Sequence, residues 1–157
     1  MKTLVLGIGN PILTDDSVGL RVARLVRDKL DPQKATVAEV SFTGLELLDL
    51  MVGYERVVIV DSIQTVGGQV GEVYRLEPDN LGLTYDTTSI HGVNLVTAID
   101  IGQKLGLTLP EKVVIFAVEV ADVATFGEEC TPAVRQAIPR VAEMVLREVM
   151  IPEIALR

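Results

Sequence analysis

Few side chains in this 157-residue sequence are suited to catalysis or metal binding. The chain has one histidine, His91, and one cysteine, Cys130, so any reaction that needs an imidazole must use His91. Asp15 and Asp16 follow a glycine-containing loop, and Asp61 directly follows an apolar run. Two carboxylates and one imidazole suit Zn, Ni, Co, Mn or Fe(II), and three protein ligands leave positions open for water or a substrate. One of the paired aspartates, Asp61 and His91 therefore predict a metal site.

Each candidate also has a structural interpretation. Asp15 or Asp16 would suit the N-cap of a helix, where side-chain oxygens and negative charge are favoured. Asp61 would otherwise cap the backbone of the three residues that follow it. A single histidine is more often structural than catalytic. His91, however, stands in the predicted first turn of a helix, whose positive end favours the neutral, metal-binding imidazole. The candidates come from distant segments, so spacing alone leaves both interpretations open.

The glycine loop and the cysteine favour no other chemistry. Gly7 and Gly9 match the first two glycines of a dinucleotide-binding GxGxxG loop, but Ile12 stands at the third position. The two aspartates at the start of the following helix would repel a pyrophosphate. The glycines therefore predict a tight turn that needs positive φ or close packing. Cys130 is expected to be a bystander, because the neighbouring Glu128 and Glu129 disfavour a thiolate.

Short apolar runs that alternate with helical patterns must position these residues. We predict strands over residues 3–7, 36–40, 56–61, 71–76 and 113–118, and helices over 17–30, 44–51, 89–105 and from Pro132 onward. The third strand is continuously apolar, which is typical of a central parallel strand, and the fourth suits an antiparallel edge. Pro139 is expected to kink the last helix or limit its regularity. The order predicts a three-layer α/β fold with a mostly parallel, twisted sheet of about five strands and helices on both faces. In such sheets ligands bind beyond the carboxyl ends of the strands.

Composition bounds the possible functions. Apolar residues make up 48% and charged residues 23%, which predicts a core rather than disorder. The formal net charge of −8 argues against nucleic-acid binding. No apolar run reaches the roughly 20 residues of a membrane span, and the apolar start is too short for a signal peptide. One cysteine permits no intrachain disulfide, and we expect a cytoplasmic protein. We predict one domain over residues 1–150 and a short tail over 151–157.

Several segments, in order, resemble the hydrogenase maturation endopeptidases, which process the large subunit of nickel–iron hydrogenases. The most specific is the opening pair, LVLGIGN at residues 4–10 and TDDSVG at 14–19. The others are GLELL at 44–48, VIVDS at 58–62, SIH at 89–91 and TPAV at 131–134. Together they span nearly the whole chain.

The resemblance implies a specific activity. It places the metal-binding and catalytic residues on Asp16, Asp61 and His91. It also implies an aspartic-type endopeptidase, expected to be monomeric, that removes a C-terminal extension from the large-subunit precursor after nickel has been inserted. The cofactor would be nickel that the substrate supplies or shares, and another divalent metal could occupy the resting protein.

Two alternatives belong to different functional classes. A peptidyl-tRNA hydrolase-like esterase has a similar opening strand and Gly-Asn-Pro loop, matched here by residues 9–11. The histidine expected soon after that loop is absent, however, and the negative charge suits a tRNA ligand badly. A non-catalytic docking protein could use the same three ligands to bind a metal-loaded partner.

Overall fold

The computed structural model describes residues 2–41, 46–77, 87–88 and 92–152, which alternate between strands and helices. The strands are β1 (Thr3–Ile8), β2 (Thr36–Val40), β3 (Arg56–Thr65), β4 (Val73–Leu76), β5 (Thr87–Thr88) and β6 (Lys112–Glu119). The α-helices are α1 (Val18–Lys29), α2 (Glu46–Met51), α3 (Gly92–Lys104) and α4 (Pro132–Val149). A single 3-10 turn, Asp15–Ser17, precedes α1. In these parts of the chain no helix is long and apolar enough to cross a membrane.

The strands form one mostly parallel sheet in the order β2-β1-β3-β6-β4. The β1, β2, β3 and β6 strands are mutually parallel, whereas β4 runs antiparallel to β6 at the edge. The short β5 strand pairs antiparallel with the last residues of β3 and adds a sixth strand. The predicted central β3 and antiparallel edge β4 are therefore confirmed.

Two separate apolar clusters cover the two faces of the sheet. On one face Val5, Val58 and Val60 pack with buried residues of α1 and α4. On the other face the intervening strand residues, such as Leu6 and Ile59, pack with α2 and α3. Successive side chains of a strand point to opposite faces, so strands buried on both sides need apolar residues at nearly every position. The predicted three-layer α/β architecture is confirmed.

Several observed ends differ from the predicted ones by one or two residues, and the end of β3 differs by more. The β3 strand continues four residues beyond Asp61, to Thr65. Its polar end hid this extension, which is stabilised by pairing with β6 as far as Ile63 and with β5 beyond it. The α4 helix continues through Pro139, which lies inside it. The predicted starts of the second and third helices, at residues 44 and 89, lie outside the described residues.

Close glycine packing brings α1 onto the carboxyl end of β1. A Cβ at Gly7 would lie 2.4 Å from the carbonyl oxygen of Gly19, and one at Gly19 would lie 2.3 Å from that of Ile8. A Cβ at Gly9 would lie 2.1 Å from the carbonyl oxygen of Asp16. Of the two explanations offered for Gly7 and Gly9, close packing is therefore correct. This packing places the 3-10 turn and its aspartates at the edge where β1 and β3 end.

Candidate functional site

Asp16 connects the loop after β1 to the central strand. It is buried, at 2% exposure. Its Oδ2 accepts a hydrogen bond from the backbone N–H of Asn10 at 3.0 Å, and its Oδ1 accepts one from the Ser62 hydroxyl at 2.8 Å. The N-cap positions of the 3-10 turn and of α1 are Thr14 and Ser17. The alternative in which Asp15 or Asp16 is the N-cap of its own helix is therefore wrong.

Asp61 lies within β3, not after it, and is 6% exposed. Its Oδ1 accepts a hydrogen bond from the backbone N–H of Ser62 at 2.8 Å. The alternation of side chains along β3 places Asp61 on the same face as Ile59 and Ile63, which pack toward α2 and α3. Ser62 faces the opposite side, toward Asp16. The structural alternative was that Asp61 caps the backbone of the residues after it. Asp61 does accept a hydrogen bond from the next backbone N–H, but it does so inside a strand that continues.

Ser62 contacts both carboxylates and was not singled out from the sequence. It is buried, its hydroxyl donates to Asp16 and its backbone N–H donates to Asp61. The available signal was its position directly after Asp61 in VIVDS, where a small hydroxyl side chain interrupts the apolar pattern. The structure therefore places Asp16 and Asp61 each in contact with Ser62, at the carboxyl edge of the sheet.

His91 lies outside the described residues, so its place relative to the two aspartates stays a prediction. The first described residue of α3 is Gly92, directly after it in the sequence. Asp61 faces the layer to which α3 belongs. Within the described ranges, no group of three or more His, Cys, Asp or Glu side chains is arranged to hold a metal ion.

Asp15 has structural partners far along the chain. It is fully buried, and its Oδ2 accepts hydrogen bonds from the backbone N–H groups of Ala121 and Asp122, both at 3.0 Å. Its Oδ1 accepts one from the N–H of Thr131 at 2.7 Å, and the Thr131 hydroxyl also donates to the carboxylate. Thr131 is the N-cap residue of α4. Asp15 thus fastens the loop between β6 and α4 to the 3-10 turn.

Cys130 is buried, at 5% exposure, and its Sγ lies 3.6 Å from the Ser17 hydroxyl. Burial raises the pKa of this thiol, and the charge of Asp15 raises it further. The Ser17 contact and the charge of Arg21 lower it but do not outweigh burial. A thiol that stays protonated at neutral pH is a poor nucleophile. The main reason that the thiolate is disfavoured is therefore burial, and not the flanking glutamates named from the sequence.

Known proteins share both this sequence and this architecture. The model of the hydrogenase maturation protease family matches residues 20–148, a range that includes Asp61 and position 91 and begins just after Asp16. The hydrogenase 2 maturation protease of Escherichia coli is 26% identical over 148 residues, covering 93% of this chain and 89% of that protein. The hydrogenase expression/formation protein HupD of Bradyrhizobium diazoefficiens is 28% identical over 148 residues, covering 87% of this chain and 72% of that protein.

Solved structures agree with these matches. The hydrogenase maturating endopeptidase HybD of Escherichia coli aligns with a TM-score of 0.82 and 25% identity, over 95% of this chain and 92% of that one. A nickel–iron hydrogenase maturation protease of Thermococcus kodakarensis aligns with a TM-score of 0.76 at 22% identity, over 95% and 99% of the two chains, and supports the shared fold. The family model covers most of the chain, and the chain therefore belongs to the hydrogenase maturation proteases, a family of endopeptidases.

Proposed function

We propose that this chain removes the C-terminal extension of the nickel-loaded large subunit of a nickel–iron hydrogenase. The observation that carries the proposal is the meeting of Asp16 and Asp61 on Ser62 at the carboxyl edge of the sheet, in a member of the hydrogenase maturation proteases. This edge is where α/β sheets bind their ligands. Family membership favours this function over the peptidyl-tRNA hydrolase-like alternative.

The proposed ligands are Asp16, Asp61 and His91. Asp16 and Asp61 are each less than a tenth exposed, and they concentrate negative charge around one serine. Carboxylate oxygens from two segments that contact the same serine can both bind one divalent cation. Carboxylate oxygens together with an imidazole nitrogen suit nickel as well as several other divalent metals. The nickel would arrive with the substrate, and a different divalent metal could bind the resting protein.

Bound metal would polarise the carbonyl of the cleaved peptide and lower the pKa of bound water. The chain's own residues prepare the site for that chemistry. The two hydrogen bonds made by Ser62 fix the orientation of both carboxylates before substrate arrives. The Asn10 N–H fixes the second oxygen of Asp16. The four donor groups around Asp15 assign it to positioning the loops and not to proton transfer.

The test compares nickel-loaded and nickel-free large-subunit precursor, each incubated with this chain and followed by mass spectrometry. We expect loss of a C-terminal peptide only from the nickel-loaded precursor. Asp61→Asn and His91→Ala should abolish this cleavage while leaving the fold intact, as judged by circular dichroism. A matched control is Asp100→Asn, which removes only an exposed partner of Lys104 on α3.

Three other outcomes of this test would each contradict one part of the proposal. Equal cleavage of nickel-free precursor would contradict recognition through nickel. Stoichiometric binding without cleavage would identify the docking-protein alternative. Normal processing by the His91→Ala variant would remove His91 from the site.

A further inference from the structure

A buried carboxylate that the proposed reaction does not use lies at the end of β6. Glu119 is 2% exposed. In the ladder between β3 and β6, Asp61 pairs with Ala117 and Ile63 pairs with Glu119. One strand spacing and two residues of strand rise therefore separate the Cα atoms of Asp61 and Glu119, a distance of about 8 Å. Alternation along β6 puts Glu119 on the face of Ala117, which packs toward α2 and α3 as Asp61 does.

The Glu119 carboxylate holds the polar end of β3. The Thr65 backbone N–H donates to its Oε2 at 2.9 Å, and the Thr65 hydroxyl donates to its Oε1. The backbone pairing of the two strands stops just before this point, where the Val120 N–H donates to the Ile63 carbonyl oxygen at 3.0 Å. Backbone groups of alternate residues face the same side of a strand, so those of Ile63 and Thr65 both face β6. Glu119 therefore supplies the acceptor that a longer β6 would have supplied.

The loop between β3 and β4 closes over the same residue. The Glu119 backbone N–H donates to the carbonyl oxygen of Glu72, and its carbonyl oxygen accepts from the Gly71 N–H, both at 2.8 Å. A Cβ at Gly68 would collide with Oε1 of Glu119. The Tyr74 hydroxyl donates to Glu72 at 2.9 Å and lies 3.4 Å from the same Oε1. The described donors to this carboxylate are uncharged groups of neighbouring backbone and side chains, which suits it to fixing their positions.

The end of β3 in turn carries β5. Gln64 pairs with Thr88 and Thr65 pairs with Thr87. A ladder of two residue pairs is too short to hold its place alone, so the position of β5 depends on how firmly the end of β3 is held. His91 follows Thr88 by three residues in the sequence. The Cα atoms of Thr88 and His91 therefore lie within roughly 11 Å of each other.

We propose that Glu119 is a positioning residue for the candidate site. By fixing the end of β3 at Thr65, its carboxylate sets where β5 lies and hence the point from which the chain leads to His91. This inference rests on the proposed function, in which His91 is a ligand. A side chain that only filled this space could be apolar, whereas the two donors of Thr65 require an acceptor.

The test compares Glu119→Ala with Glu119→Gln in two measurements. These are hydrogen exchange of the β5 backbone amides, followed by NMR, and kcat/KM for nickel-loaded large-subunit precursor. We expect Glu119→Ala to speed the exchange by about tenfold or more and to lower kcat/KM by about tenfold or more, because nothing then holds Thr65 and a small displacement of a ligand is costly.

Glu119→Gln should restore both quantities to within about threefold of the unaltered values, because its amide can replace the carboxylate. The amide oxygen would accept from the Thr65 N–H, and the NH₂ group would donate to the hydroxyls of Thr65 and Tyr74. Thr65→Val removes the hydroxyl and keeps the N–H, so it should act in the same direction as Glu119→Ala but less strongly. It also provides the comparison if Glu119→Ala does not fold.

Arg56→Met is the matched control for stability. Arg56 is 3% exposed and begins β3 at the end away from Asp61. This variant should lower the melting temperature but leave kcat/KM and the exchange of the β5 amides at 25 °C within about twofold of the unaltered values, since distant sites act independently.

The other outcomes overturn the proposal in distinguishable ways. Equal acceleration of β5 exchange by Arg56→Met would assign Glu119 to general stability. Unchanged kcat/KM in a folded Glu119→Ala variant would disconnect Glu119 from the site and leave the proposed function standing. Equal losses in Glu119→Gln and Glu119→Ala would mean that the charge matters and not the acceptor. No processing by the unaltered chain would instead remove the proposed function, and with it the site that Glu119 is proposed to position.

Discussion

Asp15 and Asp16 are neighbours in the chain, but their carboxylates have partners of different chemistry. Asp15 receives hydrogen bonds from three backbone N–H groups and one hydroxyl, all from the loop that leads into α4. The partners of Asp16 include a backbone N–H and the Ser62 hydroxyl. A backbone N–H can only donate, whereas a hydroxyl can donate or accept. Replacing each carboxylate by an amide should therefore affect stability to different extents.

We expect Asp15→Asn to lower the free energy of unfolding by about 3 kcal/mol, because its NH₂ group would face buried N–H donors. Asp16→Asn should lower that free energy by less than Asp15→Asn does, since the amide can accept from Asn10 and donate to Ser62. Asp16→Asn should nevertheless abolish processing. Urea unfolding and the mass-spectrometric processing assay measure the two quantities.

The same two variants can contradict the assignment of roles. If Asp15→Asn were fully stable yet inactive, Asp15 would belong to the reaction and not to the loops. If Asp16→Asn lost stability in proportion to activity, the loss of processing would reflect unfolding.

At the scale of elements, Glu39 joins the edge strand β2 to α1. Its carboxylate receives hydrogen bonds from Arg24 at 2.7 Å and from Arg27 at 2.8 Å. Partial burial raises the pKa of Glu39, but the hydrogen bonds and charges of the two arginines outweigh it, and the pKa lies below its ordinary value. The folded state therefore binds this proton more weakly than the unfolded chain does.

A lowered pKa in the folded state gives a stabilisation that is present above the unfolded pKa, about 4.3 for glutamate, and is lost as pH falls through the folded value. Glu39→Gln should therefore lower the free energy of unfolding at pH 7. Both arginines are about half exposed, so we expect only about 0.5–1 kcal/mol. The difference from the unaltered chain should shrink as pH falls below the unfolded value and through the lower folded value. Urea unfolding at pH 7, 5 and 3 measures it.

An Arg24→Gln, Arg27→Gln background provides the control. Without the two guanidinium groups only partial burial still acts on this carboxyl, so adding Glu39→Gln should no longer lower the free energy of unfolding at pH 7. If the loss at pH 7 persisted in this background, or were undiminished at pH 3, the ion pairs would not be its source.

The sequence predicted the elements better than it predicted the contacts at their ends. Buried apolar runs identified β1, β3 and β6 and their parallel arrangement, because a strand covered on both faces has a recognisable composition. The polar end of β3 carried no such signal, since pairing with β6 and β5 maintains that strand. The partners of Asp15 lie more than 100 residues away. No local pattern could have separated the loop-fastening role of Asp15 from the candidate ligand role of Asp16.

At the scale of the whole molecule, the candidate site and a central structural contact lie at opposite edges of the sheet. Arg56 begins β3 at the edge away from Asp61 and is 3% exposed. Its guanidinium donates to the Thr3 hydroxyl at 3.2 Å and to the carbonyl oxygens of Ile151, at 3.0 Å, and Val149, at 2.5 Å. One side chain thus connects the first strand, the central strand and the end of the last helix.

This separation predicts that stability can be lost without loss of chemistry. Arg56→Met should leave the carbonyl groups of Val149 and Ile151 without their charged donor and lower the free energy of unfolding by about 3 kcal/mol. For a chain of this size the melting temperature should fall by roughly 6–12 °C. At 25 °C, where the variant stays folded, kcat/KM for precursor processing should stay within about twofold of the unaltered value.

The control is Arg56→Lys, which keeps the charge but not the planar fork of donors. Its melting temperature should lie between those of the unaltered chain and of the Arg56→Met variant. Calorimetry measures the melting temperature, and the processing assay measures kcat/KM. A fall in kcat/KM at an unchanged melting temperature would mean that the two edges are coupled, and that Arg56 acts on the site and not on the stability of the fold.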